Sequence, residues 1–282
     1  MLCHPYTRYE HLYVYYLDKL NIPPLEHPDL IGVWVEDDHS ILFFHTPQEQ
    51  LIRELSCHCG AQVIYQADLD YGEWEAGVEI SRFNTKTLTV SPVWEQVQAD
   101  DTGRQEIVLD PSVIFGSGFH PTTRMCLETL ELLMFESGKK IRRVADLGTG
   151  TGILAIAAAK LGAQHVDAID VNPLACEVAK KNVKLNGCEN QVNVECRDLT
   201  LKAFDTQNYD LVLANLYKGL LEQLFSDPRF WQAEMYMISG IIPAMEGDLL
   251  SGLPQKGIRF LHRANSNIWR LWVLGHDRQE AC

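Results

Sequence analysis

The sequence lacks a long apolar run of the kind that crosses a membrane. No stretch approaches the roughly 18 uninterrupted apolar residues of a membrane-spanning helix. The first residues, MLCHPYTRYEH, also lack the basic-then-apolar order of a secretory signal peptide. These absences argue against a membrane protein and a secreted one, so we expect a cytoplasmic location.

Positive charge is also scarce. The chain has 282 residues, and its 24 lysines and arginines are outnumbered by 38 aspartates and glutamates, which gives a formal net charge of −14. A nucleic-acid-binding protein needs a basic face, so direct nucleic-acid binding is not expected. The charge suits a basic partner or a small molecule, although a high net charge also serves solubility alone.

Paired metal ligands are missing as well. None of the eight cysteines is in CxxC spacing. Cys57, His58 and Cys59 are adjacent, but no second ligand pair with zinc-like spacing accompanies them. We therefore expect no metal site, and free thiols in a reducing compartment.

The first hundred residues are rich in aromatics and short strand-like runs, which predicts a small α+β domain. The predicted elements are strands at Ile31–Val35, Ile41–His45, Ala61–Gln66 and Thr87–Val90, and a helix at Gln48–Leu55. A turn-forming stretch at Asp100–Gly103 follows. We assign residues 1–104 to this domain and its linker.

Residues 105–282 have a different sequence pattern, in which short apolar runs rich in β-forming residues alternate with helical patterns. The predicted strands are Arg143–Leu147, Val166–Ile169, Val192–Cys196, Leu211–Ala214, Met235–Ile238, Arg259–His262 and Ile268–Leu274. Helices are predicted at Ile153–Leu161 and Pro173–Leu185. This alternation is typical of an α/β fold with a doubly wound parallel sheet.

A glycine-rich turn, Asp146-Leu-Gly-Thr-Gly-Thr-Gly152, connects the first of these strands to a helix. Glycines in such a turn let a ligand approach the backbone, and the helix start offers unpaired N–H groups. The next strand ends at Asp170, which is placed to accept hydrogen bonds from ribose hydroxyls. Gly148, Gly150 and Asp170 are therefore expected to bind a cofactor that carries a nucleoside.

The glycine spacing distinguishes between two such cofactors. NAD-binding turns have the pattern G-x-G-x-x-G, whereas these glycines follow G-x-G-x-G with Asp146 before the first. A carboxylate there repels a pyrophosphate but attracts the α-ammonium of S-adenosylmethionine. Asp146 therefore favours S-adenosylmethionine, with the alternative that it only ties the turn together by accepting backbone N–H bonds.

Four motifs together resemble one family. They are FGSGFHPTT (115–123), DLGTGTGILAIAAAKLGA (146–163), IDVNPLA (169–175) and ANL (214–216). From about residue 71 onward the chain resembles the ribosomal protein L11 methyltransferase (PrmA) family. The resemblance implies a Rossmann-like sheet of seven strands with the last one antiparallel, and a substrate-recognising N-terminal domain. It also implies transfer of methyl groups from S-adenosylmethionine to amino groups of ribosomal protein L11.

The resemblance assigns roles to individual residues. Thr123 matches a threonine that contacts the cofactor, Gly148 matches the turn glycine, and Asp170 matches the ribose-binding acid. Asn215 matches the asparagine beside the methyl-transfer position, where it serves both the cofactor and catalysis. Asp198, after the next strand, is either near the adenine amino group or a solvated loop residue.

The chemistry requires orientation and a dry pocket more than a reactive side chain, because the sulfonium is already activated. A lysine amine, with a pKa of about 10.4, must lose a proton before it attacks. The Asn215 amide, with neighbouring carbonyls, can accept the amine's N–H bonds and aim its lone pair. We expect His120 to order its own loop rather than act as a base, and Gly116–His120 to cover the cofactor.

Departures from the family leave the substrate open. Tyr217 and Lys218 follow the Asn215-Leu216 pair where family members have small residues. The first alternative is a methyltransferase of this fold that acts on another protein or a small-molecule amine. The second is a non-catalytic module that only binds the cofactor.

Overall fold

The computed structural model describes residues 9–36, 39–74, 77–95, 103–114, 117–136, 138, 140–201 and 204–276. Most of the predicted turn at Asp100–Gly103 lies outside these residues. No helix in the described ranges is long and apolar enough to cross a membrane.

The N-terminal part is an antiparallel sheet of four strands with one helix. Its elements are β1 (His11–Leu17), β2 (Leu30–Glu36), β3 (His39–Phe44), α1 (Glu49–Cys59) and β4 (Val63–Asp70), and the strand order is β2-β3-β1-β4. Leu17, Leu42 and Phe44 are fully buried on the face that α1 covers with Ile52 and Leu55. The predicted small α+β unit is confirmed, with β1 as a strand that the sequence patterns did not reveal.

A small three-stranded sheet follows. It contains β5 (Phe83–Asn84), β6 (Leu88–Pro92) and β7 (Gln105–Leu109), after the short helix α2 (Tyr71–Trp74). The β6 and β7 strands are parallel, whereas β5 and β6 are antiparallel. A long helix that was not predicted, α3 (Pro121–Glu136), comes next.

The C-terminal part is a seven-stranded sheet with the order β10-β9-β8-β11-β12-β14-β13. Its strands are β8 (Arg143–Leu147), β9 (His165–Asp170), β10 (Val192–Cys196), β11 (Leu211–Asn215), β12 (Met235–Ile241), β13 (Ile258–Ser266) and β14 (Trp269–His276). Its remaining helices are α4 (Ile153–Lys160), α5 (Pro173–Leu185), α6 (Lys218–Ser226) and α7 (Pro243–Ser251), with a 3-10 turn at Pro228–Gln232.

Helices cover both faces of this sheet. Val144 and Leu213 belong to the core beneath α3, α4 and α5, whereas Leu147 and Val212 belong to the core beneath α6 and α7. Strands buried on both faces read as continuous apolar runs, which is why the sequence located them well. Only β14 is antiparallel to its neighbours. The predicted doubly wound, seven-stranded α/β fold with an antiparallel last strand is thus confirmed.

Helix α3 is fixed to the β5–β6 turn by a buried carboxylate. Glu131 is only 4% exposed and accepts hydrogen bonds from Thr85 Oγ1 (2.6 Å), Thr87 Oγ1 (2.6 Å) and the Thr87 backbone N–H (2.7 Å). Bonds to an ionised acceptor are the strong ones. This contact joins the small sheet to the helix that lies over the larger one.

Replacement of Glu131 by alanine is expected to lower the free energy of unfolding by about 2–4 kcal/mol, because several buried donors lose a charged acceptor. Urea unfolding followed by circular dichroism measures the change. The matched control is Glu128→Ala on the exposed side of the same helix, which is expected to stay within about 0.5 kcal/mol of wild type. Equal effects of the two variants would contradict this role.

Candidate functional site

The glycine-rich turn after β8 adopts a backbone that side chains disfavour. Gly148, Gly150 and Gly152 have φ values of +69°, +53° and +83°, in the left-handed region that glycine tolerates. The backbone N–H groups of Gly148 and Thr149 both donate to Ile169 O, at 2.8 and 2.9 Å. The turn is therefore held against the end of β9.

Asp146 lies beneath this turn and is 1% exposed. Its Oδ2 accepts hydrogen bonds from Thr149 Oγ1 (2.6 Å) and from the backbone N–H of Ala155 (3.2 Å), in the first turn of α4. Burial raises the pKa of Asp146 to about 6, against the lowering effect of these bonds. The contacts tie the turn together, as one of the two sequence-based interpretations held.

Asp170 ends β9 beside the same turn. Its Oδ2 accepts the backbone N–H of Gly150 at 2.9 Å, and its Oδ1 accepts that of Asn172 at 3.0 Å. Asn172 caps α5 by accepting the Leu174 N–H at 2.9 Å. The structure thus brings Asp146, Gly148, Gly150 and Asp170 together at the neighbouring carboxyl ends of β8 and β9.

A second support of the turn was not found from the sequence. Asn182, fully buried on α5, donates through Nδ2 to the carbonyl oxygens of Thr151 and Asp110, both at 2.9 Å. Its Oδ1 accepts the Asp110 N–H at 2.9 Å. The contacts with Thr151 and Asp110 join residues far apart in the chain, so no local sequence pattern predicts them.

The FGSGFHPTT motif packs on the glycine-rich turn. Phe115 and Gly116 lie outside the described residues, so the proposed cover at Gly116–His120 is described only from Ser117 onward. Gly118 has a φ of +97°, and a Cβ there would lie 3.3 Å from Thr151 Oγ1. The close approach explains a glycine at this position.

Asn215 ends β11, next to β8 in the sheet. Its Nδ2 donates to Thr122 Oγ1 at 3.2 Å, and Thr122 Oγ1 lies 2.9 Å from His120 Nδ1. Nδ2 is engaged in this bond, whereas none of the residues that the structure describes donates a hydrogen bond to Asn215 Oδ1. Thr122 was missed by the sequence analysis, which chose its neighbour Thr123. Thr123 is also buried, and its N–H donates to His120 O at 2.9 Å.

The backbone after Asn215 is tightly enclosed. Gly240 has a φ of +86°, and a Cβ there would lie 2.4 Å from the carbonyl oxygen of Leu216. A Cβ on Gly148 would lie 2.3 Å from Leu216 Cδ2 on the other side. Leu216 is therefore wedged between two strand ends, and this fixes the position of Asn215.

The neighbouring polar residues have local partners. Burial lowers the pKa of His120, which favours the neutral ring. Its contact with Thr122 agrees with the loop-ordering role expected for it.

Asp198 accepts hydrogen bonds from Thr200 N (2.7 Å) and Oγ1 (2.6 Å), which lower its pKa. Its place near an adenine stays a prediction.

Tyr217 and Lys218, the departure from the family pattern, lie at the start of α6. Tyr217 is 68% exposed. Lys218 pairs with Asp248 and Glu222, and the hydrogen bond to Asp248 raises the pKa of the ammonium group. The lysine charge beside Asn215 is thus balanced by two carboxylates.

Comparison with known proteins gives a consistent result. Residues 59–274 match the family model described as Ribosomal protein L11 methyltransferase (PrmA). A ribosomal protein L11 methyltransferase of Staphylococcus carnosus is 34% identical over 210 residues, 74% of this chain and 65% of the relative. One of Desulforamulus reducens is 40% identical over 184 residues, 64% of this chain and 58% of the relative.

A solved structure gives the same architecture. The crystal structure of a ribosomal protein L11 methylase from Lactobacillus delbrueckii subsp. bulgaricus superposes with a TM-score of 0.59 at 27% identity, covering 70% of this chain and 98% of that one. The chain spans slightly less than two thirds of the length of the curated relatives it matches. Sequence match, sheet topology and the turn motifs agree, and the chain belongs to the ribosomal protein L11 methyltransferase (PrmA) family.

Proposed function

We propose that this protein transfers methyl groups from S-adenosylmethionine to amino groups, on lysine side chains or the N-terminus, of ribosomal protein L11. One observation carries the proposal. Asp170 and Gly150 are hydrogen-bonded at the end of β9, and Asn215, oriented by Thr122, ends β11 across the intervening strand β8. The groups that we propose to hold the nucleoside and to accept the amine thus lie along one edge of the sheet.

The residues at this edge fit S-adenosylmethionine. Gly150 has a φ of +53° and no Cβ, so a ligand can approach the backbone there, whereas the space beside Gly148 is filled by Leu216. The Asp170 carboxylate has about four lone-pair sites, and its two backbone donors leave acceptor capacity for ribose hydroxyls. Thr123 is buried on α3 one residue from the Asn215 contact. These observations support cofactor-binding roles for Thr123, Asp146, Gly148, Gly150, Asp170 and Asn215.

The chain's part in the reaction is orientation and exclusion of water. When bound, S-adenosylmethionine supplies a methyl group on a sulfonium that leaves as a thioether. Asn215 Oδ1 accepts an N–H of the incoming neutral amine, while Thr122 holds the amide in place. The Leu216 side chain, packed on Gly148, keeps water from this position. The ammonium group loses its proton to solvent before it enters this position, because His120, whose pKa is lowered by burial and whose Nδ1 contacts Thr122, is too weak a base to take it.

Asp146 gives a pH-dependent prediction. Its pKa of about 6 lies above the usual 3.8 because of burial. A bound α-ammonium favours the carboxylate and lowers this pKa, so cofactor binding near pH 6 is expected to release up to one proton, and affinity is expected to rise with pH there. Calorimetry in two buffers of different ionisation enthalpy measures the release. Asp146→Asn is expected to abolish this proton release. Equal release by the wild type and the variant would show that Asp146 only stabilises the turn.

The choice of ribosomal protein L11 rests on the family and on charge. The curated relatives carry that substrate in their names, and a chain with a net charge of −14 is complementary to a basic protein. We propose that residues 1–104 recognise the substrate and that residues 105–282 carry the transfer. In support, the four-stranded sheet lies within the first range and the seven-stranded sheet within the second.

The test is transfer of labelled methyl from S-adenosylmethionine to purified ribosomal protein L11, beside an undermethylated total protein extract. We expect the label in L11 and, in the extract, in a band of the same mass. Label in a different band would show that L11 is not the substrate, but the methyltransferase activity would still be supported. Cofactor binding without transfer to either sample would leave a non-catalytic module.

A second candidate is the same reaction on another protein or a small-molecule amine. It is favoured by the exposed Tyr217 and by Lys218, which is paired with two carboxylates. These residues follow Asn215 and Leu216, where the family pattern has small residues. Competition decides between the two, because an unrelated substrate in the extract would slow labelling of added L11.

A further inference from the structure

A groove lies beside the candidate site, with a cavity volume of about 750 Å³. Three walls enclose it: the exposed side of α3, the carboxyl half of β13 and the segment 77–81. The residues that carry the argument are Glu79, Arg124, Glu128, Ala264, Asn265 and Ser266. None of them was singled out by the sequence motifs.

The groove is on the half of the sheet that the cofactor does not use. Asp170 and the glycine-rich turn occupy the ends of β8 and β9, whereas β12, β14 and β13 lie beyond Asn215 on the other side. The β13 strand is parallel to β12, so its carboxyl end at Ser266 lies along the same edge as Asn215. In open α/β sheets this edge is where ligands bind.

The distance from Asn215 to the groove suits a peptide. Three strand spacings separate β11 from β13, which is about 14 Å, or about four extended residues. The groove and the reacting position are also joined through α3, since Pro121 lines the groove and Thr122 contacts Asn215. A chain with its amine at Asn215 can therefore place a flanking segment in the groove.

The groove also presents an unused strand edge. Within the described residues β13 pairs with β14 alone. Ala264, Asn265 and Ser266 all line the groove, although successive side chains of a strand point to opposite faces. A cavity that contacts three consecutive residues therefore lies along the edge of the strand. An exposed edge can take up an extended segment by main-chain hydrogen bonds.

The charge of the walls selects the kind of segment. Glu79 and Glu128 each contribute a carboxylate, and both are exposed. Arg124 also lines the groove, with its guanidinium over the Phe83 ring at 4.4 Å from the centroid, and the two carboxylates outnumber this one cation. The free carboxylates of a strongly acidic protein are complementary to lysine and arginine side chains.

We propose that this groove binds a basic, extended segment of the protein substrate, about four residues from the methylated amino group. The proposal rests on the proposed function and adds a substrate-docking site to it. Its two determinants are the Glu79 and Glu128 carboxylates and the free edge of β13.

The charge is tested with the double variant E79Q/E128Q. Steady-state methylation of ribosomal protein L11 is expected to show a KM raised about fivefold to tenfold, with kcat and the Kd for S-adenosylhomocysteine unchanged. The dependence of KM on salt is expected to weaken as well. The matched control is E177Q/E189Q, which removes two exposed carboxylates on or next to α5, on the cofactor half of the sheet, and is expected to leave KM unchanged.

The shape of the groove is tested separately with Asn265→Trp, which fills the groove without changing its charge. This variant is expected to raise KM by a similar factor. An unchanged melting temperature would show that it is folded. If the wild type methylates L11 while both groove variants keep its KM, the groove proposal is wrong and the proposed function stands. If the wild type transfers no methyl to L11, the proposed function fails and the groove proposal fails with it.

Discussion

Replacement of Asp170 by alanine is expected to weaken binding of S-adenosylhomocysteine by about 100-fold or more. The carboxylate is proposed to accept both ribose hydroxyls, and hydrogen bonds to a charged acceptor contribute about 1.5–3 kcal/mol each. The variant also loses the bonds from Gly150 N (2.9 Å) and Asn172 N (3.0 Å), which shape the turn and the start of α5. Calorimetric titration measures the loss.

The matched control for Asp170 is Asp167→Asn on the same strand. Asp167 accepts a hydrogen bond from Tyr209 Oη at 2.7 Å and lies three residues before the carboxyl end of β9. Its replacement is expected to leave cofactor affinity unchanged in the folded protein. Unchanged affinity of Asp170→Ala would place the cofactor elsewhere.

Replacement of Asn215 by alanine is expected to lower kcat about 100-fold, with a much smaller change in cofactor affinity. The reason is orientation: without Oδ1 the amine is no longer aimed at the methyl group, and misplacement by about 1 Å costs this much. Thr122→Val removes the acceptor that holds the Asn215 amide (3.2 Å) and is expected to give a smaller fall in kcat. Quench-flow methylation of L11 under single-turnover conditions separates the chemical step from product release.

Two results would contradict this role of Asn215. One is an unchanged single-turnover rate, which would leave the residue as a structural strand end. The other is a loss confined to KM, which would make it a substrate-binding residue only. Asn193→Ala, at an exposed position on β10, is the matched control and is expected to keep the wild-type rate.

The helix and strand bounds around the proposed cofactor site could be predicted from the sequence almost to the residue. The helix predicted at Pro173–Leu185 and the strand at Val192–Cys196 have those bounds in the structure. Both are defined locally, the helix by an asparagine cap with a following proline and the strand by alternating apolar and polar residues. The glycines of the turn were found for the same reason, since each positive φ demands glycine at its own position.

Asn215 and Thr123 were named from the sequence, but helix α3 and the contacts of Asn215 were not predicted. Helix α3 is buried along most of its length, for example at Leu127 and Leu130, so its sequence has no clear polar stripe to mark a helix. The hydrogen bond between Asn215 and Thr122 joins residues on different elements. The groove likewise forms only when α3, β13 and the segment 77–81 come together.

Asp146 illustrates how a correct position leaves the role open. The sequence placed it in the turn, and the structure shows it tying Thr149 and the start of α4 together. Its carboxylate is nevertheless buried with a pKa of about 6, so it remains able to respond to a cation bound nearby. Structural support and cofactor recognition are compatible in one carboxylate, and the proton-release measurement distinguishes their contributions.

The crystal structure of the protein with S-adenosylhomocysteine bound tests the central claim most directly. We expect both ribose hydroxyls to donate to the Asp170 carboxylate, and the ligand sulfur to lie against the glycine-rich turn on the side that faces Asn215 Oδ1. A ligand bound away from this edge, with Asp170 contacting only Gly150 and Asn172, would contradict it.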